Sequence, residues 1–113
     1  AVQVDLPSTA KVQGGDLAVP YKAVQLHLHW GKDGGPGSEH TIDGEQYPME
    51  LHIVNIKEEY NSLAEALKDP AGVGVLGFFY EVFFILILLT DYYEIIREMY
   101  NCANFIWVVR TYN

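Results

Sequence analysis

The chain has 113 residues, enough for one small domain with one core, and half of them are apolar, which excludes a disordered composition. Fifteen acids against seven bases leave a net charge of −8, which argues against nucleic acid or an anionic membrane surface as a partner. The one cysteine, Cys102, excludes an internal disulfide and a cysteine-built zinc site, leaving an ordinary thiol or a bond to another chain.

The start, AVQVDLPSTA, has no basic region, no apolar leader and no initiator Met, as expected of a mature chain or a fragment, and the end, RTYN, is no lipidation box. Residues 2–6 alternate apolar and polar like a half-buried strand, and Gly14-Gly15-Asp16 signals a turn. Residues 21–30 alternate again: Gln25, His27 and His29 take one face, and Val24, Leu26, Leu28 and Trp30 the other. Residues 31–37, with four Gly and one Pro, read as a loop. Asp43-Gly44 then signals a type I′ hairpin between EHTID and EQYPMELHIVNI. On the second arm Glu50, His52 and Val54 share a face, and Pro48 suits a strand start or an edge.

Ser62-Leu63-Ala64-Glu65 has the form of a capping box and predicts one helix, stopped by Asp69-Pro70. Residues 72–82 read as a core strand, 83–89 are a continuous apolar run, and 90–113 are rich in Tyr, Ile and Asn without a period. Residues 72–90 are nearly all apolar, so a membrane span is the competing reading; Glu81 in its middle opposes it. There is no internal repeat.

All four histidines lie between positions 27 and 52. His27 and His29, two apart on a strand, can converge on one ion, and His52 sits on the matching face of a later strand. Three histidines with one open position is the pattern of a catalytic zinc site. His-x-His alone is more often structural; the third histidine, with Glu50 beside it as an acceptor able to fix an imidazole tautomer, balances the two readings.

Segment 38–54, SEHTIDGEQYPMELHIV, resembles the α-class carbonic anhydrase signature at every fixed position: Ser-Glu-His, a hydrophobe, an aromatic, then Glu-x-His and two hydrophobes. QLHLHWG is similar to that family's paired-histidine strand, and NSLAEALKDPAGVGVLGFFYEV to its helix and following core strand. The wording is nearest the secreted or membrane-anchored vertebrate branch, which implies an extracellular or cell-surface location.

The resemblance implies a mainly β fold with one or two helices, a piece of the family's large, mostly antiparallel central sheet. It divides the chain into a partial carbonic anhydrase domain, 1–82, and an unrelated apolar, Tyr-rich tail, 83–113. It implies a zinc lyase that reversibly hydrates carbon dioxide to bicarbonate, through a water that zinc acidifies. His27, His29 and His52 would be the zinc ligands, with Gln25 bonded to the outer nitrogen of His27 and Glu50 to that of His52. Gln3 would line the polar wall of the pocket, Val54 and Val75 the apolar wall. Glu39 would accept a hydrogen bond from a catalytic threonine, and His40 would be structural. No Ser-Leu-Thr-Thr-like segment supplies that threonine, since Thr90 and Thr111 sit in unmatched context. Asn55 stands where a histidine that is no zinc ligand is frequent, and Gly74 where alanine is usual. Zinc binding with weak or no turnover is therefore expected; the alternative is a truncated relative that binds zinc or a partner without turnover.

Overall fold

The structure is a computed structural model, which describes residues 2–32 and 35–80, and the backbone of 108–111. Its main sheet is antiparallel throughout. Strands β1 (Val2–Asp5), β3 (Tyr21–Trp30), β6 (Met49–Lys57), β7 (Val73–Tyr80) and β8 (Val108–Thr111) lie side by side in the order β1-β3-β6-β7-β8. A short β2 (Lys11–Val12), which alternation did not disclose, pairs with the start of β3 on the same edge as β1. The mainly β, antiparallel fold expected from the sequence is the one observed.

The longest pairing, β3 with β6, places His27 opposite His52 and His29 opposite Glu50. A β-bulge at Val24 interrupts it, so that Ala23 pairs with Asn55 and Gln25 with Val54. A bulge places one extra residue against its partner strand and breaks strict alternation. Tyr21 and Ala23 therefore share the face of Asn55, while Gln25, His27 and His29 share that of His52. This corrects the expectation for Val24. It packs with Val54, Ile56, Val73 and Val75 rather than with Leu26 and Leu28.

The hairpin at Asp43-Gly44 forms with both turn residues at positive φ, 50° and 79°, as a type I′ turn requires. Its arms, β4 (Thr41–Ile42) and β5 (Glu45–Gln46), make a separate two-stranded sheet. The expected second arm is thus split, because Pro48 lacks an N–H and fixes its φ, so β6 starts only at Met49.

One helical turn, α1 (Leu63–Ala66), forms where the capping box predicts it. Ser62 Oγ accepts from Glu65 N at 3.1 Å, and the Glu65 carboxylate reaches back to Asn61 N at 3.0 Å, one residue before the cap. Ala66, fully buried, joins Val54, Ile56, Val73 and Val75, with Tyr60 and Leu63 at the margin. Asp69 ties the end of this segment to β6 and β7. It accepts from Lys57 Nζ at 2.7 Å, Tyr60 Oη at 2.8 Å and Ala71 N at 2.9 Å. Those donors hold its carboxyl down to about 2: the Lys57 ammonium first, then the Ala71 N–H and the Tyr60 hydroxyl.

The other face of the sheet carries a second cluster: Met49, Leu51, Phe78 and Tyr80, flanked by Leu26, Leu28, Ile53 and Leu76. Full burial of a side chain such as Leu51 contributes roughly 1.5–3 kcal/mol. Residues 72–80 are the described part of the apolar stretch 72–90; of these, 73–80 form a sheet strand, and no helix among the described residues is long and apolar enough to cross a membrane. Glu81, residues 83–107 and Cys102 lie outside the described residues. The backbone of β8 pairs with β7, Gly74 opposite Thr111 and Gly77 opposite Val108.

Candidate metal centre

Alternation along β3 and β6 brings the three histidines to one point on the helix-covered face of the sheet. The ring centroids of His27, His29 and His52 are 4.8–5.1 Å apart in pairs. One nitrogen from each ring lies within 4.8 Å of the other two, and His27 Nε2 is 3.3 Å from His52 Nδ1. Tetrahedral zinc with bonds of about 2.0–2.1 Å separates neighbouring nitrogens by about 3.3–3.4 Å, so this pair already has the spacing of two ligands.

Two of the three rings are held from outside the cluster. His27 Nδ1 donates to Gln25 Oε1 at 2.8 Å, which leaves the Nε2 lone pair facing the cluster. His52 Nε2 donates to Glu50 Oε2, which leaves Nδ1 facing inward. His29 Nε2 is buried and makes no hydrogen bond. Three imidazoles, two of them oriented by an acceptor, are a donor set that fits zinc. Burial depresses the His27 pKa, and its neighbours His52 and His29 add to that, against a smaller opposing pull from Glu39. The ring is thereby kept neutral and able to donate its lone pair.

Glu50 anchors the arrangement. It is 1% exposed, so it is not a solvent-facing strand carboxylate. Burial pushes its pKa up, yet three donors outweigh this and the net shift is downward: the His40 backbone N–H, then the His52 and His40 rings. Oε1 accepts from His40 N at 2.8 Å, and Oε2 from His40 Nδ1 at 2.6 Å as well as from His52. His40 thus serves as a structural histidine that satisfies the buried carboxylate.

The loop carrying Glu39 and His40 is clamped by Ser38, which is 3% exposed. Its Oγ donates to His40 O at 2.7 Å and accepts from Tyr47 N at 2.8 Å, while Gln46 Nε2 donates to Ser38 O at 2.8 Å. The loop enters against the end of β3 so closely that a Cβ on Gly37 would lie 1.9 Å from Gly31 N, so glycine is required there. The sequence marked Ser38 and His40 as signature positions without disclosing these bonds, which depend on residues about ten apart meeting across the hairpin.

Other expected site residues fall as follows. Val54 and Val75, paired across β6 and β7 on the His52 face, are packed in the core beneath α1. Gln3 lies opposite His27 on β1, is exposed, and donates to Asp5 Oδ1 at 3.5 Å. Glu39 is half-exposed, with Oε1 3.4 Å from His29 Nε2 and Oε2 3.9 Å from His52 Nδ1, and it accepts no hydrogen bond from a described residue. A cavity of about 270 Å³ lies away from the histidines, beside Tyr21, Asn55 and Gly74, and of the expected site residues it touches Val75 alone.

The eukaryotic-type carbonic anhydrase family model matches residues 1–100, past Val82, where the resemblance was expected to end. Carbonic anhydrase 3 of Mus musculus is 45% identical over 78 residues, 69% of this chain and 30% of that protein. Carbonic anhydrase 3 of Rattus norvegicus is 48% identical over 71 residues, covering 63% and 27%. Carbonic anhydrase 7 of Mus musculus is 45% identical over 85 residues, covering 72% and 32%. The chain thus spans under a third of the length of these curated relatives. With the signature loop, the paired-histidine strand and the third histidine all in register, the chain belongs to the eukaryotic-type carbonic anhydrase family.

Proposed function

We propose that His27, His29 and His52 hold a zinc ion and that the site is directed at the reversible hydration of carbon dioxide to bicarbonate, with turnover well below that of full-length relatives. The observation that carries the reading is the convergence of the three rings, with His27 Nε2 and His52 Nδ1 at 3.3 Å. Zinc there would supply a water acidified to a pKa of about 7, a value for which this family is the standard example and which is not obtained from this chain. Gln25 and Glu50 hold two of the rings so that their inner nitrogens meet the ion, and Glu50 keeps His52 oriented from a site that excludes water. Gln3 on the exposed side, with Val54 and Val75 on the apolar side, are the proposed walls of the substrate pocket. Turnover is weak in this reading because no described residue gives Glu39 the hydroxyl donor through which it would orient the attacking water.

The test is carbon dioxide hydration, followed by a pH indicator in stopped flow, with one equivalent of zinc added to the purified chain. Zinc-dependent turnover far below that of a full-length relative, and lost in His52→Ala, is expected; a rate equal to that of the relative, or turnover that survives His52→Ala, contradicts the reading. A second reading, a relative that holds zinc without turnover, is favoured by the Glu39 carboxylate lying against the ligand nitrogens. An extracellular or cell-surface address also belongs to this proposal, and cell-surface labelling of the expressed protein tests it.

A further inference from the structure

Ser38, which opens the signature loop, is as buried as the metal-facing His52: each is 3% exposed. Its hydroxyl is used in both directions, as an O–H donor and as an acceptor. Oγ accepts from Tyr47 N at 2.8 Å and donates to His40 O at 2.7 Å. Tyr47 stands two residues before β6, the strand that carries Glu50 and His52, so one oxygen ties His40 to the start of that strand. The backbone beside it is pinned without the hydroxyl. Gly37 N and Ser38 N both donate to Tyr47 O, at 3.0 and 2.9 Å, and Gln46 Nε2 donates to Ser38 O at 2.8 Å. Those bonds hold positions 37 and 38 and leave His40, two residues further on, to be placed by Oγ.

His40 passes that placement on. Its N donates to Glu50 Oε1 at 2.8 Å and its Nδ1 to Glu50 Oε2 at 2.6 Å, and Oε2 also accepts from His52 Nε2. His52 then presents Nδ1 to His27 Nε2 at 3.3 Å. A continuous line of hydrogen bonds thus runs from the Ser38 hydroxyl to a ring of the metal cluster. The line is sensitive to small shifts, because the main-chain N–H and the ring of one residue engage both oxygens of one carboxylate. Moving the His40 backbone disturbs the two bonds together, and hydrogen bonds weaken steeply with poor angles. The carboxylate that orients His52 turns with them.

We propose that Ser38 is a positioning residue for the metal centre: its hydroxyl sets His40, His40 sets Glu50, and Glu50 sets the ring of His52. This rests on the metal-binding reading above and deepens it. Ser38 touches neither the ion nor the substrate, and the effect it has on the ion is carried wholly by the residues between them.

The test is zinc competition with a chromogenic chelator on the whole chain. The unaltered protein should take up zinc stoichiometrically. Ser38→Ala should bind it about three- to tenfold more weakly, below the range of about 10–100-fold for acceptors directly behind a metal-bound histidine, a range drawn in part from carbonic anhydrases and not from this chain. In the folded, metal-free variant, nitrogen NMR of the His52 ring should show the proton no longer fixed on Nε2, as it is in the unaltered chain. A serine that only held the loop would lower stability and leave both readings unmoved. Unchanged zinc affinity or an unchanged ring pattern in Ser38→Ala overturns the role of Ser38 and leaves the three-histidine site intact, whereas absence of zinc uptake by the unaltered chain overturns both. Linkage requires the reverse effect, of the ion on the clamp. In the unaltered chain zinc should slow hydrogen exchange at Tyr47 N–H, held by Ser38 Oγ, more than at Glu65 N–H, held by Ser62 Oγ in the cap of α1. Equal slowing overturns the proposal even if Ser38→Ala does not fold.

Discussion

Glu50→Gln keeps the size of the side chain and removes its charge, and the geometry fixes what must follow. Glu50 presents two oxygens to three donors: Oε1 to His40 N at 2.8 Å, and Oε2 to both His40 Nδ1 at 2.6 Å and His52 Nε2. A glutamine has one oxygen. With its NH2 at the Oε1 position it meets the His40 N–H donor to donor; at the Oε2 position it meets both ring N–H groups. Either way at least one buried donor loses its acceptor, at a cost of about 1–3 kcal/mol, on a side chain that is 1% exposed. The second arrangement also frees the His52 tautomer, which can then place its proton on the inward Nδ1. Acceptors behind metal-bound histidines typically carry 10–100-fold in affinity, a range that comes in part from carbonic anhydrases themselves and not from this chain. That is about 1.4–2.8 kcal/mol. Urea unfolding without metal and zinc competition with a chromogenic chelator measure the two effects separately. Stability and zinc affinity both equal to those of the unaltered chain would refute the argument that Glu50 is an ionised, fully used anchor.

Other consequences follow from the packing and the ion pairs. Leu51→Ala, at a site 1% exposed in the second core cluster, should cost about 2–5 kcal/mol in denaturant unfolding; a loss under about 1 kcal/mol contradicts its place in the core. Ser62→Ala removes the acceptor for Glu65 N and should cost about 1 kcal/mol, whereas a neutral result means the cap contributes nothing. Asp69 titrates near 3.8 when unfolded and at about 2 when folded, so the unfolded chain takes up its proton first as pH falls. The contribution of Asp69 to stability is full above about pH 4 and is lost towards pH 2. The difference in melting temperature between the unaltered chain and Asp69→Asn should be constant above that range and shrink within it, and a difference that stays constant down to pH 2 contradicts the ion-pair account.

What could be read from the sequence was governed by local rules. Alternation placed His27 and His29 together, and His52 on a compatible face, because a strand's period of two is insensitive to the rest of the fold. Asp43-Gly44 and Ser62-x-x-Glu65 specified a turn and a cap through the few residues each one uses. The bulge at Val24 escaped because it exists only in the pairing of β3 with β6, and nothing in VQL requires it. The separate β4-β5 hairpin escaped because the alternation from Tyr47 to Ile53 runs straight through Pro48, where the missing N–H outweighs the pattern. At the site, His27 and His52 sit two residues from their acceptors Gln25 and Glu50, within reach of a periodicity argument. The bonds from His40 to Glu50, and the approach of Glu39 to His29, come from a loop folding back across ten residues, and only coordinates disclose them.

The central claim is that three imidazoles on neighbouring strands share one zinc ion. The most direct measurement is the metal content of the purified chain after zinc loading and dialysis, by elemental analysis alongside native mass spectrometry, for the unaltered protein and for His27→Ala, His29→Ala and His52→Ala. One zinc per chain, lost in each variant while the β-sheet signal in circular dichroism persists, is the result this account predicts. Folded protein that binds no zinc, or variants that keep it, would contradict it.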